Sequence, residues 1–277
     1  MQKGFDLHSH STASDGVLTP TELLQRAQQQ GVDVLALTDH DCITGLDEAQ
    51  RQADKLGIRL INGVEISTNW ENRAIHIVGL NFDKNHSGLN TLLQNQAQLR
   101  LQRAIEIGEK LAKVGVQGAF MGAKSLTDGE VTRAHYARYL VQIGKVANIE
   151  QAFKKFLAQG KSCYVKAQWT DIPNAIATIQ QAGGIAILAH PLRYNMTARW
   201  IRRLLTDFKQ WGGQGIEVAG CGQTPDQRQL LARWATEFEL VGSVGSDFHF
   251  PCQWIELGKS LWLPDSVKPV WSMFDYA

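Results

Sequence analysis

The sequence predicts an α/β protein, a closed or distorted β/α barrel carrying a helical insertion. Three observations lead there. Short apolar β-type runs alternate with helical stretches of about 10 to 15 residues, the rhythm of parallel βαβ units. Their number, within 277 residues, suits a barrel better than a small open sheet. Between about residues 85 and 165 the rhythm stops and only helical patterns remain.

Taken in order, FDL is the first strand and leads into HSH. A helix follows at TPTELLQRAQQQG, where Thr19 caps, Pro20 fits the first helical position, Glu22 completes a capping box and Gly31 gives a left-handed stop. DVLALTDH is an apolar strand with a polar tip. Residues 45 to 57 form a helix ending at Gly57, and RLINGVEIS and AIHIVGL are further strands. The insertion opens with LNTLLQNQAQLRLQRAIEIGEKLAKVG, whose apolar residues recur at three and four, and continues with helices near 132 to 143 and 148 to 158. The alternation then resumes. DIPNAIATIQQAGG is helical, GIAILAHP a buried strand, RWIRRLLTDFKQWGG helical, GIEVAG a strand, PDQRQLLARWATEFE helical and LVGSVGSDFH the last strand. The tail KSLWLPDSVKPVWSMFDYA, with Trp262 and Trp271, is expected to pack across the barrel.

Hydrophobic residues make up 44% and charged residues 20%, a globular composition rather than a disordered one. Lys plus Arg is 28 against 27 Asp plus Glu, so the net charge of +1 excludes a uniformly basic coat and leaves only local basic grooves. Cys42, Cys163, Cys221 and Cys252 form no CxxC pair. The start MQKGFDLHSH lacks the apolar region of a secretory signal, and runs such as GIAILA are too short to cross a bilayer. A soluble, cytoplasmic protein with free thiols is expected, with no membrane association and no obligate protein partner.

The polar residues gather where strands end. His8 and His10 are two apart and project to one face of an extended segment. Asp15 follows in the loop, His40 ends DVLALTDH, Glu65 lies in GVEIS, His76 in AIHIVGL and His190 just after GIAILA. Asp247 and His249 repeat the two-apart spacing in GSDFH. In a β/α barrel these positions converge on one mouth. Six imidazoles and three carboxylates form a ligand set for two or three divalent ions such as manganese, iron or zinc, with positions left open for water. Clustered cations of that kind activate water and neutralise phosphoryl oxygens, which points to hydrolysis. Singly, each residue has a plainer reading. His76 suits packing, Asp247 a turn cap, and Asp39 either a helix cap or a carboxylate orienting an imidazole. Six of the eight histidines at strands or strand tips do not fit independent accidents.

HSHSTASDG, LTDHD, GVEIS, IHIVGL, LAHP and GSDFH together resemble the successive motifs of the PHP family (polymerase and histidinol phosphatase), spread over residues 8 to 249. The resemblance implies a distorted (β/α)7 barrel from residues 1–84 plus 166–277, with 85–165 as a helical cap. It also implies a trinuclear centre. One metal would take His8, His10, Glu65 and Asp247, a second Asp15, His40 and His249, and a third His76 and His190, with Glu65 bridging. The nucleophile would be a metal-bridging hydroxide, with no separate side chain assigned. STNWENRAIHIVGL and TRAHYARYLV are similar to the bacterial branch of 3′,5′-nucleoside bisphosphate phosphatases and 5′-to-3′ exoribonucleases. There an arginine and a histidine hold substrate phosphate, the counterparts of Arg133 and His135. Ala134 stands where that motif has a proline.

Arg133 and His135 have a physical case of their own. A guanidinium fork suits phosphate oxygens, and a loop entering a helix adds free N–H groups. An arginine on an amphipathic surface with a part-buried histidine is the plainer alternative. Arg193, close behind His190, is placed to reach a bound phosphate. Tyr194 suits base stacking or packing, and His86 a loop. RWIRR and the spaced Arg100, Arg103, Lys110 and Lys113 suit an RNA backbone or a solvated helix face. The resemblance implies hydrolysis of the 3′-phosphoester beside a 5′-phosphorylated nucleotide, in nucleoside 3′,5′-bisphosphates and in short 5′-monophosphorylated RNA, including ribosomal RNA 5′ ends. Another small-molecule phosphatase, such as a histidinol phosphatase, or a metal-retaining binding module are the competing readings.

Overall fold

The computed structural model of the chain describes residues 4–127 and 129–274. The first three residues of MQKGFD, residue 128 of the TDGEV loop and the last three of the tail lie outside the described residues. Strand β1 (Phe5–Asp6) is followed by helix α1 (Pro20–Gln29), β2 (Val34–Leu37), α2 (Leu46–Leu56), β3 (Arg59–Trp70) and β4 (Arg73–Leu80). The capping box at α1 forms as expected, with Thr19 and Glu22 each accepting the other's backbone N–H, and Gly31 and Gly57 adopt left-handed φ of 74° and 70°. The insertion contains α3 (Ser87–Lys113), α4 (Ala119–Lys124), α5 (Arg133–Gln142) and α6 (Ile149–Ala152), which runs into a π-helical turn over Phe153–Leu157. Then come β5 (Thr170–Asp171), α7 (Ile172–Gln181), β6 (Ile185–Leu188), α8 (Ala198–Gln210), β7 (Gly215–Gly220), α9 (Pro225–Glu237) and β8 (Val241–Gly245).

Seven strands follow the order β1-β2-β3-β4-β6-β7-β8, with the two-residue β5 attached to β3 outside that path. The ends nearly close, because Leu7 N–H donates to Val244 O at 3.0 Å and Ser9 bridges to Phe248. One feature departs from the parallel pattern: β4 runs antiparallel to both β3 and β6. The cause is local. Only Glu71 and Asn72 separate β3 from β4, both at positive φ (46° and 63°), and a two-residue turn makes a hairpin where a parallel crossover needs a dozen residues or more.

Strand parity divides the core. Val34, Ala36, Ile61, Val78, Leu80, Ile185 and Ile187 share a cluster with Leu7, Val270 and Phe274. Their neighbours Leu35, Leu37, Val64, Ile66, Ala186 and Leu188 pack with residues of the surrounding helices instead. The tail therefore supplies part of the barrel floor, and Trp271 stacks on Phe5 with ring centroids 4.1 Å apart. Continuing the inward parity of Ile61 carries Glu65 inside, and that of Val78 carries His76 inside. The barrel is thus apolar below and polar above. Within the insertion, Ala104, Ile107, Leu111, Tyr136 and Leu140 form part of a second core, while Leu89, Leu92 and Leu93 at the start of α3 join the barrel's. Helix α3 is shared by both.

Candidate metal centre

All nine residues singled out as ligands come together at the barrel mouth. His8 and His10 follow β1, Asp15 lies in the next loop, His40 follows β2, Glu65 is inside β3, and Asp247 and His249 follow β8. His76 reaches the same mouth from the first half of β4, because that strand is reversed. Three groups have ligand atoms within 4.8 Å of one another: His8, His10, Glu65 and Asp247; His10, Asp15, His40 and His249; and His40, Glu65 and His76. His190 meets the third group through Glu65, its Nε2 lying 2.9 Å from Oε1, the oxygen that His76 Nδ1 approaches at 2.8 Å. Glu65 is central, since its other oxygen lies 3.3 Å from Nε2 of both His8 and His10.

The donor set fits cations on the structure's own terms. Among the described residues, Asp15 Oδ1, His40 Nδ1 and Glu65 Oε2 are buried at the centre without a hydrogen-bond partner. His40 Nδ1 and Glu65 Oε2 are only 2.9 Å apart, yet they are not aligned as donor and acceptor. Such orphans are costly unless something else satisfies them, and divalent ions held by imidazole and carboxylate do so. The local field agrees. Burial opposes a charge on His10, but Asp247 and Glu65 overcome it and push its pKa up to about 10. Burial likewise resists charge on Glu65, yet the imidazoles of His76, His40 and His8 hold it well below the usual carboxylate range. Positive charge is stabilised at His10, while burial lowers the pKa of His40 to about 4 and keeps it neutral.

Side chains that the sequence reading passed over hold this array in place. Glu217, midway along β7, accepts from His8 Nδ1 at 2.5 Å through one oxygen and from the His190 N–H at 2.5 Å through the other. A lone carboxylate in the apolar run GIEVAG was its only sequence signal. Asp6 is fully buried and accepts the backbone N–H groups of Ser246 and Gly258 at 2.9 Å each, fixing the loop that carries Asp247. Burial raises its pKa to about 6. Asp39 neither caps a helix nor touches an imidazole: it accepts from Ser11 N–H, Ser11 Oγ and Ser14 Oγ, securing the loop before Asp15. Tyr194 Oη accepts the His76 N–H at 2.8 Å, and its ring meets His190 edge-on. His190 and Asp247 have positive φ (27° and 54°), a strained backbone of the kind that functional sites retain.

Beside the centre lies a cleft of about 180 Å³, bordered by Asp15, His40 and His76 on one side and by Arg103 and Arg133 of the insertion on the other. Arg100, three residues before Arg103 and on the same face of α3, is 7% exposed and paired with Asp41 through Nε–H to Oδ2 at 2.7 Å. It is not part of a solvated face. Arg103 donates to Val165 O at 3.1 Å and lies over Trp169. Burial, then the charges of Arg133 and Arg100, lower its pKa to about 10, so it stays cationic at neutral pH in a crowd an anion would relieve. Arg133 stands over Phe153 and lines the cleft with Thr132 and Ala134. His135, two residues on in the same helix, is 1% exposed, and its Nδ1 accepts the Thr132 N–H at 3.0 Å, capping α5. Arg193 is ion-paired with Asp247. His86 caps α3 by accepting the Leu89 N–H.

Comparison with known proteins agrees with this geometry. The chain is 69% identical over 274 residues to a 5′-3′ exoribonuclease of Haemophilus influenzae, covering 99% of this chain and 100% of the relative. It is 42% identical to a 3′,5′-nucleoside bisphosphate phosphatase of Chromobacterium violaceum, covering 96% and 94%. Among solved structures, an amidohydrolase from C. violaceum with bound sulfate superposes with a TM-score of 0.92 at 42% identity, covering 97% of this chain and 95% of that one. A second solved structure, from Bifidobacterium adolescentis, gives 0.86 at 26%, covering 99% and 97%. Residues 6–184 match the PHP domain model, so the histidine-rich barrel mouth has its explanation in descent: the chain belongs to the PHP domain family.

Proposed function

We propose that the protein is a metal-dependent phosphoesterase that cuts the 3′-phosphoester of a 5′-phosphorylated nucleotide. It would act as a 5′-to-3′ exoribonuclease on short 5′-monophosphorylated RNA, ribosomal RNA 5′ ends among them, and as a phosphatase on nucleoside 3′,5′-bisphosphates. One observation carries this reading: the cations of Arg103 and Arg133 open on the same cleft as Asp15, His40 and His76. A phosphate held by the guanidiniums is thereby set beside the centre. The names of the relatives point the same way.

His8, His10, Glu65 and Asp247 would hold one ion, Asp15, His40 and His249 a second, and His76, His190 and Glu65 a third. Bound there, divalent ions, manganese above all, lower the pKa of water and offset the charge on phosphoryl oxygens. The chain's own groups do the rest. Arg133 and Arg103 grip the 5′-phosphate with paired N–H groups. His135 fixes the start of α5 and so the aim of Arg133. Arg193, exposed beside Asp247, neutralises the phosphate under attack. The segment 85–165 serves as a cap, bringing both anchoring arginines to the barrel 1–84 and 166–277. In the reaction a water oxygen bonds to phosphorus, the P–O3′ bond breaks, and the 3′ oxygen leaves and takes up a proton. The thiols of Cys42, Cys163, Cys221 and Cys252 are all unpaired, which fits the reducing cytoplasm.

The test is product analysis with manganese. 5′-Phosphorylated oligoribonucleotides should yield mononucleotides successively from the 5′ end, and adenosine 3′,5′-bisphosphate should release phosphate. Arg133→Ala should raise KM for the bisphosphate. Preference for histidinol phosphate, or full bisphosphate activity in Arg133→Ala, would overturn the anchoring scheme. No hydrolysis of either substrate would overturn the phosphoesterase reading itself.

A further inference from the structure

A second cavity, of about 300 Å³, opens on the other flank of the centre. It meets the arginine cleft at Asp15 and Ala134, and Asp247 and His249 also border it. Its outer wall is apolar, formed by Ile149, Phe250 and Ile255, with Arg138 and Arg193 as its cations. Phe250 directly follows the ligand His249 and is 49% exposed, leaving a ring face open beside the metal centre. Arg138 donates to the main-chain carbonyl of Asp15 at 2.7 Å rather than to a carboxylate.

We propose that this cavity receives the second nucleotide of an RNA substrate, its base stacked on Phe250 and its backbone drawn by Arg138. The inference rests on the phosphoesterase reading above and adds the determinant that separates RNA from bisphosphate. When the P–O3′ bond breaks, the phosphate stays on O5′ of the next nucleoside. With the first nucleotide in the arginine cleft, that nucleoside must leave the centre by another flank. A bisphosphate has nothing there. A further cavity against the centre, bordered by His190, Arg193, Glu217, Gln223 and Asp247, shares Arg193 with this one but has no Phe, Tyr or Trp in its wall and carries Glu217 where this one carries Phe250. Ring stacking tolerates every base, as trimming through mixed sequence requires.

The experiment compares kcat/KM on 5′-phosphorylated diadenosine and on adenosine 3′,5′-bisphosphate, using the full chain with manganese. Phe250→Ala should lower the ratio of the first to the second by about tenfold, the size of one lost base–aromatic stack, chiefly through KM. Phe250→Trp should restore it. A dinucleotide lacking the second base should be cut by the wild type about as poorly as the intact dinucleotide is by Phe250→Ala. An unchanged ratio, or a Phe250→Trp variant as impaired as Phe250→Ala, overturns the proposal. A wild type active on bisphosphate but inert on the dinucleotide overturns this inference alone, whereas inactivity on both removes the reading on which it rests.

Discussion

Nδ1 of His8 and Oε1 of Glu217 lie 2.5 Å apart within the barrel, so the first histidine of the chain is oriented by a carboxylate 209 residues away. Because the other oxygen of Glu217 takes the His190 N–H, one side chain fixes both. A carboxylate behind a ligating imidazole sets its tautomer and raises its basicity. Glu217→Gln should therefore weaken metal binding by about 10- to 100-fold with the fold retained, as read by metal titration and circular dichroism. Unchanged affinity would remove Glu217 from the design.

Gly245 has to be glycine because of His8. A Cβ placed on it would sit 2.2 Å from His8 Cβ, closer than any real contact, and the neighbouring atoms are His8 backbone. Gly245→Ala should cost about 1–3 kcal/mol through overpacking and displace a ligand as well. Thermal unfolding and metal content should fall together; a variant with normal metal content would show that β1 gives way freely.

Removing metal should cost stability as well as activity, since the orphaned atoms of Asp15, His40 and Glu65 are then left uncompensated. Ions present at about 100 times their Kd stabilise by about 2.7 kcal/mol per independent site. Scanning calorimetry before and after chelation should show a lower Tm, restored by manganese. A Tm indifferent to chelation and manganese would argue against a site built for ions.

Arg100 and Arg103 share a helix face and should fail differently. Arg100 is buried against Asp41, so Arg100→Gln leaves an uncompensated carboxylate and should destabilise by about 3–5 kcal/mol. Among the described residues Arg103 makes no ion pair and donates to the Val165 carbonyl, and Arg103→Gln should raise KM for bisphosphate about tenfold with a near-normal Tm. Steady-state kinetics beside thermal melts separates them. The same outcome in both variants would contradict the division.

This division marks where the sequence stopped informing. Strand and helix order, the α1 capping box and the gathering of the nine candidate residues at one mouth were legible, because periodicity and caps are local and strand parity carries such side chains inward. Strand direction was not, since alternation reads the same both ways; only the two residues between Trp70 and Arg73 betray the hairpin. Glu217 and Asp6 were missed for another reason. A single acid in a strand says nothing until its distant partners, His8 and Ser246, are placed beside it. Arg103 read alike as a cation guiding an RNA backbone or as part of a solvated face until Trp169 and Val165 folded against it.

His135 offers the last test, because its role as a cap predicts a pH effect of definite sign. Burial, partly offset by Asp15, lowers its pKa from 6.5 to about 4, so the folded protein keeps it neutral where the unfolded chain would protonate it. Below about pH 6.5 the unfolded state thus binds more protons, and stability is lost as pH falls toward about 4. Gln is a native partner in capping boxes, so His135→Gln should keep the start of α5 while removing the titration. Between about pH 7 and pH 5 the wild type should lose on the order of 1–2 kcal/mol more than the variant, measured by urea melts under identical metal loading. Parallel stability curves would mean that the imidazole is protonated in the fold and holds something other than the Thr132 N–H.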